Sequence, residues 1–329
     1  MGSKQLEQHF LLGGWRRVEN TFNWPRLWRK ISGNRFNLLI LLVIIALSPP
    51  FFFHFRLRHF QQMQLKSCGW IANPPLVCAH GGDSINAFPN TMAAYHSALL
   101  ARVDCIEIDV SRSADGILFA LHDRDLQRVS ANHTARVGFW SKKDINELDA
   151  SLHFPGVRDD QKVPTVEDAL MLVSNRVRLV ILDAKVGPPL YEKGLAKDIL
   201  AVVEKTNCFN CIVWAKNDPL LREVSRLSPD TSVGYIIMKD PTTGLRSNVL
   251  RMKTAKVVGV YHPLIDEKLV RLLHGRSKKV FAWTVDDLVS MRDVLSNQVD
   301  AVVTSNPSLF QQLMDDTRIQ CLEEGFLLP

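Results

Sequence analysis

The chain has 329 residues, 46% of them apolar and 22% charged, with 17 Gly and 16 Pro. That composition excludes a disordered chain, a collagen-like repeat and a coiled coil, and the length suits one large α/β barrel or two average domains. The net charge of +6 is unevenly held: residues 1–66 carry ten Lys/Arg against two Glu, leaving 30 against 32 in the remainder, so the body lacks the basic surface of a nucleic-acid-binding module.

Residues 1–35 read as a basic arm, 36–55 as a transmembrane anchor, 56–74 as a linker, 75–312 as a barrel and 313–329 as a C-terminal tail. The stretch 36–55 contains no Asp, Glu, Lys or Arg, and its length matches the ~20 residues that cross a bilayer core. Pro49 and Pro50 fall in its last third, so the regular helix is expected to end near Ser48. A cleaved signal peptide is disfavoured, because 35 mainly polar residues precede the apolar run and no small-x-small site follows it. The excess of Lys and Arg lies on its N-terminal side, which predicts a cytosolic N-terminus and a lumenal or extracellular body. The sequon Asn132-His133-Thr134 is compatible with that orientation. Six cysteines are too few in this length for a disulfide framework. Cys208 and Cys211 form a single CxxC with no second half-site, which reads as a buried or disulfide-bonded pair ahead of a redox or zinc site.

From residue 76 onward, short β-branched runs alternate with helical segments. Strands are predicted at 76–79, 105–110, 177–182, 211–214, 232–237, 257–260, 280–284 and 301–303. Helices are predicted at 91–101, 166–173, 191–203, 219–227, 246–254, 267–274, 287–295 and 308–315. The strands are nearly continuous apolar runs, as strands buried on both faces must be. Eight βα units predict a TIM (β/α)8 barrel, with an excursion at 111–164 after the second strand that carries an added strand at 116–121.

In such a barrel the chemistry gathers where strands end and loops begin. The residues there are His80, Gly81 and Asp83, then Glu107 and Asp109, then His122 and Asp123, then Asp183 and Lys185, and finally Lys216, His262, Trp283 and Thr284. Glu107 and Asp109 are two apart on a strand, so both point inward. Two carboxylates buried together need a positive neighbour, and a divalent cation (Mg²⁺ or Ca²⁺) with Asp183 as third oxygen ligand is the simplest. The competing arrangement pairs one carboxylate with Lys185 and turns the other outward. His80 and His122, at separate strand ends of one rim, suit acid/base work on a phosphoryl group. Lys185 would neutralise charge on the phosphate, and Trp283 would line the substrate. His54 and His153 carry no such signal.

These residues resemble the glycerophosphodiester phosphodiesterase family, most closely its membrane-anchored plant members. The pieces are Ala79-His80-x-Gly82, Asn90-Thr91, Glu107-Ile108-Asp109-Val110, Asp115-Gly116 and Leu121-His122-Asp123. Val163-Pro164-Thr165-Val166-Glu167, Trp283-Thr284-Val285 and Asp300-Ala301-Val302-Val303-Thr304 extend the likeness over nearly all of 75–312. The resemblance implies a TIM barrel that hydrolyses glycerophosphodiesters to glycerol 3-phosphate and an alcohol with a divalent cation. His80 and His122 would be the acid/base pair, and Glu107 and Asp109 metal ligands. Three positions depart from the family pattern. Asp183 stands where Glu is usual, Gly81 where an arginine is usual, and Pro89 where a glutamate is usual; Lys216 or Arg112 is the cation that would compensate, which sequence does not place. The leading expectation is therefore a membrane-bound phosphodiesterase acting on a small glycerophosphodiester. The alternatives are a weak or inactive phospholipid-headgroup-binding barrel and a lysophospholipase or phospholipase-type phosphodiesterase. The oligomeric state is not legible.

Overall fold

A computed structural model of the chain describes residues 35–150, 161–239, 243–244 and 247–326. Residues 1–34 of the basic arm, His153 and Arg246 lie outside the described residues. The chain divides into two compact units, residues 1–61 and 62–329.

A helix runs over Arg35–Cys68, with Pro49 and Pro50 inside it. The expected stop near Ser48 is therefore corrected: the helix continues for twenty residues past it. A proline in a helix removes one backbone donor, and unbroken apolar sequence on both sides lets the helix resume. Its side chains from Leu38 to Phe60 lie exposed, so this is not a core helix, and it is long and apolar enough to cross a membrane.

In the second unit, eight parallel strands close a barrel: β1 (Leu76–His80), β2 (Cys105–Arg112), β4 (Leu179–Ala184), β5 (Cys211–Ala215), β6 (Ser232–Ile237), β7 (Val257–Tyr261), β8 (Lys279–Trp283) and β9 (Ala301–Thr304). The short β3 (Leu118–Ala120) pairs antiparallel with β2 on the outside of the closure. Between β1 and β2 the register aligns Cys78 with Cys105 and His80 with Glu107; between β2 and β4 it aligns Asp109 with Asp183. The barrel interior below the charged residues is filled by Cys78, Cys105, Ile181, Ile212, Trp214, Ile236, Val257 and Phe281. Gly259 leaves the room for the Trp214 indole there, since a Cβ at 259 would lie 2.7 Å from the ring. A larger apolar layer packs the outer strand faces against the surrounding helices.

The helices start where the sequence supplies caps. Thr91 caps Met92–Leu100, Thr165 forms a capping box with Asp168, and Asp266 caps Glu267–His274. The last helix runs Pro307–Glu323, across the boundary drawn at residue 312. The expected helix at 246–254 is absent among the described residues. The Met252, Lys253 and Ala255 carbonyls instead accept hydrogen bonds from the buried Lys278 ammonium at 2.7, 3.4 and 2.6 Å. Arg251 is drawn away to Asp218 and to the Ile236 carbonyl. The excursion after β2 holds more than a strand, with helices at Asp123–Val129 and Lys142–Asn146.

The reading of the cysteines as no framework is also corrected. All six are paired, as Cys68–Cys321, Cys78–Cys105 and Cys208–Cys211. Cys68–Cys321 joins residues 253 apart that the last helix brings together, Cys78–Cys105 joins register partners on the neighbouring strands β1 and β2, and Cys208–Cys211 is the CxxC read as a buried or disulfide-bonded pair.

Lys278 is 6% exposed and serves three carbonyls. Lys278→Met should cost about 2–4 kcal/mol of unfolding free energy in urea, because it strands buried acceptors. It should also speed amide exchange over 247–256. A loss under about 0.5 kcal/mol would contradict this account of the connection.

Candidate active site

The period-two alternation of strands sets the site. Cys105, Glu107 and Asp109 share one face of β2, so the residues above the apolar plug point to the same axis as the plug itself. The parallel register then sets Asp109 beside Asp183 and His80 beside Glu107. One carboxylate oxygen from each of Glu107, Asp109 and Asp183 lies within 4.8 Å of the others.

Each acid is held differently. Glu107 is 1% exposed. Its Oε2 accepts the Gly81 N–H at 2.9 Å, and its Oε1 is buried without a partner among the described residues. Burial, reinforced by the Asp109 charge, pushes its carboxyl well above the usual range. Asp109 Oδ2 accepts from Asn90 Nδ2 at 2.8 Å and Oδ1 lies 2.6 Å from Lys185 Nζ. Burial works against ionisation here, but the Lys185 ammonium prevails and holds the carboxyl well below the usual range. Lys185 also contacts Asp183 Oδ2. Burial alone would lower the Lys185 pKa, but Asp109 and Asp183 raise it.

The structure thus turns Lys185 onto two acids, where the sequence reading aimed it at a phosphate. Asp109 takes the lysine pairing of the competing arrangement, yet Glu107 stays inward. With all four groups ionised, three carboxylates and one ammonium leave two negative charges unbalanced. The orphaned Glu107 Oε1 supplies a free oxygen in the same cluster. An all-oxygen donor set with this deficit fits a hard divalent cation.

His80 ends β1 and His122 precedes the helix Asp123–Val129. His122 Nδ1 accepts the Arg124 backbone N–H at 3.1 Å. In the neutral ring this leaves the proton on Nε2. Burial lowers the pKa of both histidines, that of His122 to about 4. Asp123 does not orient the His122 ring. It accepts the Val137 N–H at 2.9 Å and faces Arg136 Nη1 at 3.3 Å, tying the excursion to the barrel rim.

A cavity of about 390 Å³ is lined by His122, Asp123, Asp183, Lys185, Lys216 and Asn217 among others. Trp283 is not among the residues lining this cavity; its ring stands 5.8 Å from Lys216 Nζ, which is, and 5.5 Å from the Tyr261 ring. Arg112 is removed from compensating service, because its Nη1 bonds Asp198 at 2.7 Å. Gly81 adopts φ +63°, and a Cβ there would meet Pro89 Cβ at 3.0 Å. An arginine at 81 would therefore strain this loop as well as add charge.

Sequence reasoning missed the support for Asp109. Asn90, itself at φ +61°, donates to its carboxylate and accepts its backbone N–H at 3.1 Å. Tyr95 donates to the same Asn90 Oδ1 at 3.1 Å. The signal was present in Pro89-Asn90-Thr91, since Asn tolerates the left-handed region and Thr91 caps the next helix. The backbone N–H groups of Gly81 and Arg124 leave no mark in a sequence.

The glycerophosphoryl diester phosphodiesterase family matches residues 80–309. Glycerophosphodiester phosphodiesterase GDPD4 of Arabidopsis thaliana is 60% identical over 289 residues, 88% of each chain. A glycerophosphodiester phosphodiesterase of Caldanaerobacter subterraneus is 30% identical over 73% of this chain and 97% of its own. Among solved structures, a phosphodiesterase of Oleispira antarctica in complex with the product sn-glycerol-3-phosphate superposes with a TM-score of 0.61 at 22% identity, covering 73% of this chain and 97% of that one. A putative glycerophosphoryl diester phosphodiesterase of Silicibacter pomeroyi gives 0.65 at 21% identity, covering 77% and 97%. The motifs along β1, β2 and the excursion, the closed barrel that carries them and these matches over most of the chain lead to one conclusion: the chain belongs to the glycerophosphoryl diester phosphodiesterase family.

Proposed function

We propose that the chain is a metal-dependent phosphodiesterase that hydrolyses glycerophosphodiesters to sn-glycerol 3-phosphate and an alcohol. The observation that carries this is the convergence of Glu107, Asp109 and Asp183 within 4.8 Å, on the same rim as His80 and His122. Glu107, Asp109 and Asp183 would hold the cation, with Asp183 one methylene shorter than the family's usual Glu. When bound, the cation supplies Lewis-acid polarisation of the phosphoryl oxygens.

The chain's own residues do the rest. His80, neutral because burial lowers its pKa, takes a proton from the nucleophile, either water or the neighbouring glycerol hydroxyl. The new P–O bond forms as the P–O bond to the alcohol breaks. His122 would serve as the acid in its protonated form, giving its Nε2 proton to the departing alcohol oxygen and returning to the neutral ring whose Nδ1 accepts the Arg124 N–H. With the glycerol hydroxyl as nucleophile, a cyclic phosphate forms first and water opens it.

The body is lumenal or extracellular, with the N-terminus cytosolic. Three features support this: the Lys/Arg excess before residue 36, three disulfides that persist only in an oxidising compartment, and the exposed sequon at Asn132.

His80→Ala should lower turnover of glycerophosphocholine by about 10²–10⁴-fold. His122→Asn should do the same while keeping an acceptor for the Arg124 N–H. A wild-type rate in either variant removes that residue from the acid/base pair, and no wild-type turnover of any diester favours a headgroup-binding barrel. Chelation should abolish activity, and Mg²⁺ or Ca²⁺ should restore it. Glu107→Gln should need at least about tenfold more cation for half-maximal rate. Full activity in chelator would reject the metal. For orientation, full-length chain made in microsomes should lose mobility on glycan addition, and Asn132→Gln should abolish the shift. Phe22→Thr, which completes a sequon at Asn20, should add none. A glycan on Asn20 would reverse the topology.

A further inference from the structure

The positive charges around the cavity are nearly all engaged. Lys185 meets Asp109 and Asp183, Arg112 meets Asp198, and Arg251 meets Asp218. Arg124 stands against Asp125 at 3.9 Å. Lys216 differs: among the described residues its ammonium has no hydrogen bond and no ion pair within 4.0 Å. Two residues past the inward-facing Trp214, it leaves the end of β5 and lines the same cavity as His122, Asp183 and Lys185. Its Nζ reaches to 5.8 Å from the ring of Trp283, at the end of β8 on the other side of the barrel.

A phosphodiester entering this mouth meets three carboxylates and needs a cation not already committed. We infer that Lys216 is the residue that binds the anionic phosphate of the substrate, and of the phosphomonoester product, at the mouth of the barrel. This rests on the phosphodiesterase reading of the site. Lys216 lines the cavity beside Asp183 with no acid in ion-pair contact among the described residues, so it can contact a phosphate oxygen without competing for the cation's ligands. Its ammonium stands over the indole of Trp283, 5.8 Å from the ring centre. Charge-assisted contacts to a phosphate are among the stronger hydrogen bonds, so its loss should be read mainly in binding.

Lys216→Met keeps the stem and removes the charge. In the metal-loaded full-length protein it should raise KM for glycerophosphocholine and the inhibition constant of sn-glycerol 3-phosphate together, by about tenfold or more. kcat should fall by less than KM rises, and Lys216→Arg should restore both constants to within about threefold of wild type. Calorimetric titration with sn-glycerol 3-phosphate gives a second reading that does not need turnover. If the wild type binds the product and Lys216→Met binds it equally well, Lys216 is not the phosphate residue, while the phosphodiesterase reading stands. If the wild type neither hydrolyses the diester nor binds the product, both are overturned.

Discussion

Three carboxylates gathered within 4.8 Å at the mouth of a barrel are the constraint around which the rest is arranged. At that separation each ionised pair repels by about 3–4 kcal/mol for an effective dielectric of 20. Strand periodicity and parallel register force the encounter, since Glu107 and Asp109 share a face and Asp183 lies beside Asp109. One ammonium, from Lys185, answers part of the charge. With all three acids ionised two negative charges remain, and a dication would balance them. An apolar layer would cost less to fold than such a cluster.

The surroundings serve that cluster. Gly81 and Asn90, both in left-handed backbone, bring a peptide N–H to Glu107 and a side-chain amide to Asp109. The Arg124 N–H fixes the His122 ring from a helix start. Below the charged layer the interior is apolar, from Cys78 and Cys105 to Trp214 and Phe281, so the polar site sits on a rigid plug. Within the second unit, the Cys68–Cys321 bridge joins the segment ahead of β1 to the last helix.

Much of this was legible because it is periodic. The barrel strands were found to within about two residues, since continuous β-branched runs have one reading when both faces are buried. The inward pair Glu107 and Asp109 followed from their spacing alone. What escaped was non-local. Lys278 took carbonyls that an expected helix at 246–254 would have used, and Cys68 was joined to Cys321 across 253 residues of sequence. The helix ran through Pro49 and Pro50 because two missing donors did not outweigh the apolar sequence around them. Lys185 was predicted at the site, but its pairing with Asp109 and Asp183 was not, since sequence gives a residue's strand and face but not which of several opposite charges it will meet.

The central claim is that these acids bind one cation between them. Anomalous scattering from crystals grown with Mn²⁺ tests it most directly. The account predicts one peak about 2.0–2.6 Å from oxygens of Glu107, Asp109 and Asp183. A saturated crystal with no peak there, or with Mn²⁺ held only elsewhere, would contradict it.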